Sequence, residues 1–184
     1  MTAWRMLWRD WGFAPTLFSQ AEHFLELAER SENESPQEGF IRASIVFFLI
    51  SFEAYFFEFI RGFVQENRAD LDAQRPGAVA TVEDGLKKNV GVRESVRKWP
   101  KLLTGESLDT GTRAYQDFVK LTTYRNWLIH GKITEKIPDW ERLAQECETI
   151  ESAQLARCTV AAMVEMVSSR FGVSPPAWIQ CRSS

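Results

Sequence analysis

The chain has 184 residues, of which 45% are hydrophobic, and its net charge is −3. This balance suits one globular domain with a substantial core and excludes a uniformly basic nucleic-acid-binding surface, while leaving room for a local basic patch. The three cysteines, Cys147, Cys158 and Cys181, are odd in number and lack CxxC spacing, so we expect a reducing, cytoplasmic environment without disulfides or zinc.

Residues 1–14 form a tryptophan-rich N-terminal segment. Trp4, Trp8 and Trp11 recur at helical spacing and would lie along one face of a short helix. We interpret this face as a hydrophobic flap that packs on the body of the protein or on a second subunit. Base stacking is the alternative interpretation. Charged residues interrupt the segment, which argues against a secretory signal peptide.

The rest of the chain repeats its apolar residues at helical spacing and shows no strand-like alternation, which predicts an all-α fold. We expect a helical bundle with two long antiparallel core helices plus shorter helices. The predicted helices span residues 16–30 and 36–67, two short stretches flanking Gly91, a stretch from Asp109 or Thr110 to Gly131, and residues 149–171. Residues 15–172 then form a single domain, and residues 173–184 form a C-terminal tail.

The central predicted helix is apolar on nearly all sides between Phe40 and Phe63, which is typical of a helix surrounded by other helices. Its longest uncharged run, residues 43–52, has ten residues, about half the length that a bilayer requires. Because charged residues interrupt the helix beyond this run, we expect a buried core helix and no membrane span.

A basic insert comes after this helix. Residues 69–85 contain Pro76-Gly77 and are predicted to form a loop. Residues 85–101 then carry six basic residues and one acidic residue, a net charge of +5 in a chain of −3. The two short helices predicted here end at Trp99-Pro100. A solvated helix face is one interpretation of this charge, and a phosphate-binding surface is the other.

Arg125 occupies an unusual position for a charged residue. When residues 114–130 are projected onto a helix, their apolar side chains cluster on one face, which we expect to be the core face: Phe118, Leu121, Leu128 and Ile129. Arg125 falls near the middle of this apolar stripe. An unpaired charge there is unfavourable, so the position calls for a carboxylate partner, a cleft or an anionic ligand.

Glu53 is the expected partner of Arg125, because it also lies among apolar residues, on the central helix. Asn126 and His130 are four residues apart, which allows the amide to orient the imidazole. Two interpretations stay open at this point. Either Arg125 and Glu53 form a structural ion pair while His130 is a solvated residue at a helix end, or these residues bind an anion together.

The stretch "RNWLIHG", together with "SFEAYFFEFI" about seventy residues earlier, resembles the HEPN superfamily of small all-helical domains. The signature of that superfamily is an arginine, four to six intervening residues and a histidine, often with asparagine directly after the arginine. Arg125, Asn126 and His130 match it, with four residues between arginine and histidine. Glu53 corresponds to an acidic or polar residue that often accompanies the motif. The resemblance covers residues 15–171.

The resemblance implies metal-independent cleavage of RNA that leaves a 2′,3′-cyclic phosphate, with no cofactor. His130 would move protons, since the ordinary pKa of histidine is about 6.5. Arg125 would stabilise the charge on the phosphate, as guanidinium groups do. Asn126 would fix the imidazole or contact the substrate, and Glu53 would hold Arg125 in position.

The resemblance also implies a homodimer, in which two copies of the motif share one groove. The residues expected to contact RNA are Lys132, Arg93, Arg97, Lys98 and Lys101. One toxin branch of the superfamily has a tyrosine two residues after the histidine. This chain has Lys132 there, so the modification chemistry tied to that tyrosine is not expected.

Three alternatives accompany the nuclease interpretation. The first is a non-catalytic module that binds RNA, a nucleotide or another protein. The second is a toxin or defence component held by an antitoxin or nucleotidyltransferase partner. The third is a helical interaction protein whose contact surface is marked by Trp4, Trp8 and Trp11.

Overall fold

The structure is a computed structural model that describes residues 12–130 and 140–179, with the backbone alone for His130 and Trp140. These ranges form seven α-helices and a short 3-10 helix: α1 Phe13–Arg30, α2 Glu34–Gln74, α3 Ala78–Lys87, α4 Val92–Thr104, α5 Arg113–His130, α6 Trp140–Cys147, α7 Ile150–Arg170 and Ala177–Ile179. The all-α helical bundle predicted from the sequence is confirmed. The predictions for Trp4, Trp8, Trp11, Gly131, Lys132 and Cys181 lie outside the described residues.

Helices α1 and α2 form an antiparallel hairpin that builds one side of the core. The buried face of α1 follows helical spacing: Ala14, Phe18, Ala21, Leu25 and Ala28. Two side chains of α2 donate hydrogen bonds to carbonyl oxygens of α1, Gln37 to Ala28 and the buried Ser44 to Ala21, each at 3.0 Å. The bonds satisfy polar groups that would otherwise be buried without partners.

Helix α2 runs through the centre of the bundle and contacts α1, α3, α4, α5 and α7. The sequence predicts that it ends at Asn67, and the structure has a kink there (φ −113°, ψ 15°). The side-chain amide of Asn67 donates to the carbonyl of Phe63 at 2.8 Å, in competition with the backbone. The helix continues to Gln74 because Leu71 is buried one turn later.

By length and composition, α2 is also the one helix in the described ranges that could cross a membrane. Half of its most apolar window is buried inside the protein. The central helix of a water-soluble bundle passes the same test.

The region after α2 differs from its prediction. The predicted loop at residues 69–85 shrinks to residues 75–77, because α3 begins at Ala78 and buries Val79 and Val82. Helix α4 does not end at Trp99-Pro100. It continues to Thr104 and is terminated by Gly105 with φ +89°, a conformation that favours glycine.

Trp99 anchors α4 on the central helix. Its ring lies 6.0 Å from that of Phe56 and 5.7 Å from that of Phe57, between ring centres. Gly85 of α3 packs against the same indole, so closely that a Cβ at position 85 would lie 2.7 Å from its Cζ2 atom. These contacts fix the basic helix α4 against α2 and α3.

Helices α5 and α7 of the C-terminal half begin at threonine caps. The hydroxyl of Thr112 accepts a hydrogen bond from the backbone N–H of Tyr115 at 3.3 Å, so the cap of α5 is Thr112 and not Asp109 or Thr110 as predicted. Thr149 accepts from the N–H of Ser152 at 3.1 Å and caps α7, which confirms the predicted start. The sequence does not predict the short helix α6.

The two described cysteines are expected to differ in reactivity. Burial raises the pKa of the Cys147 thiol to about 11, whereas Cys158 is exposed. The thiolate is the reactive form, so at pH 8 Cys147 stays protonated as well as shielded. In a Cys181→Ser variant, we expect Ellman's reagent to label one thiol rapidly and the second only after denaturation. Two rapidly labelled thiols would contradict the buried position of Cys147.

Candidate functional site

Arg125 and Glu53 form an ion pair that joins α5 to α2. The Nη2 atom of Arg125 donates to Oε2 of Glu53 at 2.5 Å, a short charge-assisted bond. The Arg125 side chain is 12% exposed and that of Glu53 30%. The pairing expected from the sequence is therefore present, at a position that solvent reaches on the Glu53 side.

The guanidinium of Arg125 is only partly satisfied by this pair. Its Nε atom is buried and has no hydrogen-bond partner in the described part of the chain. Arg157 and Arg170 share this feature, so the atom alone does not define a site. Arg125 differs from both because its ion-pair partner, Glu53, also lines a pocket. Since the Nε atom is buried, a phosphate oxygen would bind the part of the Arg125 side chain that stays exposed.

The last turn of α5 faces solvent more than its sequence predicts. The helical projection predicts Ile129 in the core, but this residue is 48% exposed. Tyr124, one turn earlier, is fully enclosed, and its hydroxyl has a polar partner inside the protein. The backbone of His130 ends this turn, and its side chain lies outside the described part of the structure.

Tyr124 belongs to a partly buried polar cluster that orients α5 immediately before Arg125. Its hydroxyl donates to Oε1 of Glu148 at 3.0 Å, and Arg42 of α2 donates two further bonds to the same carboxylate, each at 3.0 Å. Burial, followed by the negative charge of Glu148, raises the pKa of Tyr124 far above its usual range. The hydroxyl therefore stays protonated and acts as a permanent donor that ties α5 to α2.

A pocket of about 260 Å³ opens beside the ion pair, with Glu53 in its wall. Phe57 and Arg61 follow Glu53 at intervals of four residues on α2, and Gly85 and Asn89 close the opposite side. Arg61 makes no ion pair, and the Asn89 side chain no hydrogen bond, within residues 12–130 and 140–179. Burial raises the pKa of the Glu58 carboxyl, and the nearby Arg61 opposes this shift. The Asn89 amide is therefore available to a ligand, and Arg61 is held by no direct ion pair in these ranges.

Sequence reasoning missed Arg61 and Asn89. The spacing of Glu53, Phe57 and Arg61 was a readable signal, because residues four apart share one face of a helix. Asn89 has φ +51°, a left-handed conformation that asparagine tolerates better than most residues. The stretch "KKNVG" is a weak turn signal, so only the packing of α3 against α2 identifies Asn89.

The basic residues predicted to contact RNA divide into two groups. Arg93 lies beside α5, where its Nη1 atom donates to the hydroxyl of Thr123 at 3.1 Å. Arg97, Lys98 and Lys101 instead line a larger pocket farther along α4. Lys132 lies outside the described residues.

Comparison of the chain with protein-family models, with curated proteins and with solved structures found no match.

Proposed function

We propose that this protein is a metal-independent endoribonuclease of the HEPN type, with its active site in a groove between two copies of the chain. The observation that carries the proposal is Arg125, which Glu53 holds in position and whose side chain stays 12% exposed. Arg125 is followed, with four residues between, by His130 at the end of the same helix. An anchored arginine and a histidine on one helix suit phosphodiester cleavage, because the ordinary pKa of histidine is about 6.5.

In the proposed reaction, the ribose 2′-oxygen attacks the adjacent phosphorus as one imidazole removes its proton. The P–O5′ bond breaks, and the departing oxygen receives a proton from a second imidazole. The products are a 2′,3′-cyclic phosphate and a 5′-hydroxyl. Arg125 stabilises the negative charge that accumulates on the phosphate, and Glu53 keeps the guanidinium oriented. No metal or cofactor takes part.

The pocket beside Glu53 supports the proposal, because it offers space for a nucleotide next to the reacting phosphate. Phe57 provides an aromatic surface, and the amide of Asn89 provides both a donor and an acceptor for a base edge. Arg61 adds a second cation for the neighbouring phosphate. This arrangement would let the protein distinguish bases at one position of the RNA.

Each subunit contributes one His130, whereas the reaction uses one imidazole as base and another as acid. A homodimer that brings two α5 ends together supplies both. Since Ile129 is 48% exposed and directly precedes His130, it would be buried in such an interface. An exposed apolar residue at this point favours association.

We expect Ile129→Asp to dissociate the dimer and to lower RNA cleavage at low protein concentration. An aspartate in a contact between two copies places like charges close together, which disfavours association. Light scattering after size-exclusion chromatography measures the mass of the particle. Phe13→Asp, at an apolar residue of α1 that is 76% exposed, is the matched control and should leave the mass unchanged. A dimer that survives Ile129→Asp would exclude this interface.

The direct test is incubation of purified protein with a 5′-labelled single-stranded RNA in excess EDTA. We expect cleavage to continue at the same rate as without the chelator, because no step uses a metal ion. The 3′ ends should resist a phosphatase that acts on monoesters until acid opens the cyclic phosphate. Cleavage that EDTA abolishes, or products ending in a 3′-hydroxyl, would exclude the mechanism.

A second candidate is a module that binds RNA without cutting it, alone or with an antitoxin or nucleotidyltransferase partner. It is favoured by the position of Arg97, Lys98 and Lys101, which line a pocket other than the one at Glu53. RNA bound there would not need the motif of α5. Tight RNA binding without cleavage in the same assay would identify this function.

A further inference from the structure

The larger pocket on α4 is a cation-rich cavity of about 730 Å³, a volume in the range of small-ligand sites. Four basic side chains line it, Arg75 from the end of α2 and Arg97, Lys98 and Lys101 from α4, and none of the described residues in its wall is acidic. We propose that this pocket is a distal anchor that holds a phosphate of the same RNA strand whose cleavage site lies at Arg125. The inference rests on the proposed function and adds a second substrate contact to it.

Two of the four charges in this pocket have no acidic neighbour in the described part of the chain. Lys98 pairs with Glu94 at 2.5 Å, and the pKa of Glu94 is lowered by Lys98 and, to a smaller extent, by Arg97, whereas Arg75 and Lys101 make no ion pair within residues 12–130 and 140–179. Arg75 is held by a neutral group, since its Nη2 atom donates to the carbonyl of Thr104 at 2.8 Å. Like charges that converge on one cavity repel each other, and a bound anion offsets this repulsion.

The remainder of the wall suits a nucleotide better than a simple ion. Helix α3 begins in the pocket at Ala78 without a side-chain cap, which places the positive end of a helix dipole beside the basic side chains. Pro76 and Leu102 add apolar surface. Together these groups match a phosphate joined to a sugar and a base.

A continuous basic face connects this pocket to the motif helix. Arg93, Arg97 and Lys101 are exposed and follow one another at intervals of four residues on α4, so they lie along one side over about 12 Å. Arg93, at the near end, bonds Thr123 of α5, the helix that carries Arg125, although the two α5 residues project from different sides of it. A single strand that passes around α5 from Arg125 would meet these cations in turn, which selects RNA over a free nucleotide as the ligand.

The test compares Arg97→Gln/Lys101→Gln with the charge-matched control Arg30→Gln/Arg113→Gln, whose residues are exposed and lie outside the pocket. Binding is measured on a His130→Ala background by fluorescence anisotropy of labelled oligouridylates about 5 and about 15 nucleotides long, at low and at high salt, because phosphate contacts weaken as salt rises. Cleavage is measured in parallel with His130 intact. A third variant, Arg75→Lys, retains the positive charge but changes the bond to Thr104.

We expect the pocket variant to bind the longer oligonucleotide about tenfold more weakly than the control at low salt. The slope of its log affinity against log salt concentration should be less steep by roughly 0.7 for each phosphate that the variant no longer binds. The difference in affinity between the longer and the shorter oligonucleotide should become smaller in the pocket variant. In the cleavage assay, this variant should have a raised KM and an unchanged kcat. Arg75→Lys should retain most of the affinity.

The binding and cleavage results together show which of the two proposals fails. Equal binding and equal salt slopes for pocket variant and control would overturn the anchor, whether or not RNA is cut. Selective loss of binding in the pocket variant, without cleavage by any protein, would support the anchor and overturn the nuclease proposal. Binding of ATP that the pocket variant loses, with RNA binding unaffected, would overturn the RNA anchor in favour of a free-nucleotide site. No RNA binding by any protein would overturn both proposals.

Discussion

Replacing His130 by alanine is expected to lower the rate of RNA cleavage by about 10²- to 10⁴-fold, the usual contribution of general acid–base catalysis. The loss should appear in kcat, because the imidazole acts on protons that move only during the reaction. The fold should be retained, since the preceding buried residues of α5, Phe118, Leu121 and Tyr124, carry the packing, and the dimer should be retained because Ile129 is unchanged. Single-turnover cleavage of a labelled RNA measures the rate.

The chain provides its own control for this substitution. His23, the other histidine, is exposed on α1 and lies outside the motif helix. His23→Ala should therefore cleave RNA at the wild-type rate. If the two alanine variants behave alike, the histidine that moves the proton is not His130, and the proposed mechanism is wrong.

Arg125→Ala is expected to lower cleavage by about 10²- to 10³-fold, as removal of a group that stabilises transition-state charge does in other enzymes. It should also lower the free energy of unfolding by about 1–3 kcal/mol, because Glu53 is then left without its partner in a partly buried position. Glu53→Gln should destabilise by a similar amount and reduce cleavage about tenfold, since a neutral amide no longer holds the guanidinium by charge.

Comparison of these two variants with the double variant distinguishes an ion pair that only stabilises the fold from one that also contributes to cleavage. If Arg125 and Glu53 serve stability alone, the double variant Arg125→Ala/Glu53→Gln should recover stability, and activity should follow the folded fraction in every protein. If Arg125 contacts the phosphate, the double variant recovers stability and stays inactive. Urea unfolding and cleavage rates on the same preparations give both quantities.

The ion pair was predictable because both partners violate the pattern of their helices. A charged residue in the middle of an apolar stripe requires an explanation, and Arg125 and Glu53 explain each other. Arg61 does not break the apolar pattern of α2, because it lies near the polar end of the apolar run. Its spacing from Glu53 and Phe57 shows that the three share one face of the helix, but only the packing of α3 against α2 makes that face the wall of a pocket.

The errors in predicting the helices have equally local causes. Pro76-Gly77 predicts the centre of a long loop, yet the break affects only residues 75–77, because Leu71 before it and Val79 after it are buried. The helical projection places Ile129 in the core because it considers hydrophobicity alone. Tyr124, five residues earlier, is buried despite its hydroxyl, because Glu148 accepts its hydrogen bond.

The bond between Arg75 and Thr104 also has a topological meaning. The segment that contains α3 and α4 begins at Arg75 and ends at Thr104, and this hydrogen bond shows that its two ends are adjacent. A segment whose ends meet can change in length or be exchanged for another without displacing the rest of the chain, since closing a loop of different size changes the free energy little. The condition is that the replacement covers Phe56 and Phe57, as Trp99 does here. Evolution or design can therefore alter the basic surface of α4 while Arg125 and Glu53 remain where they are.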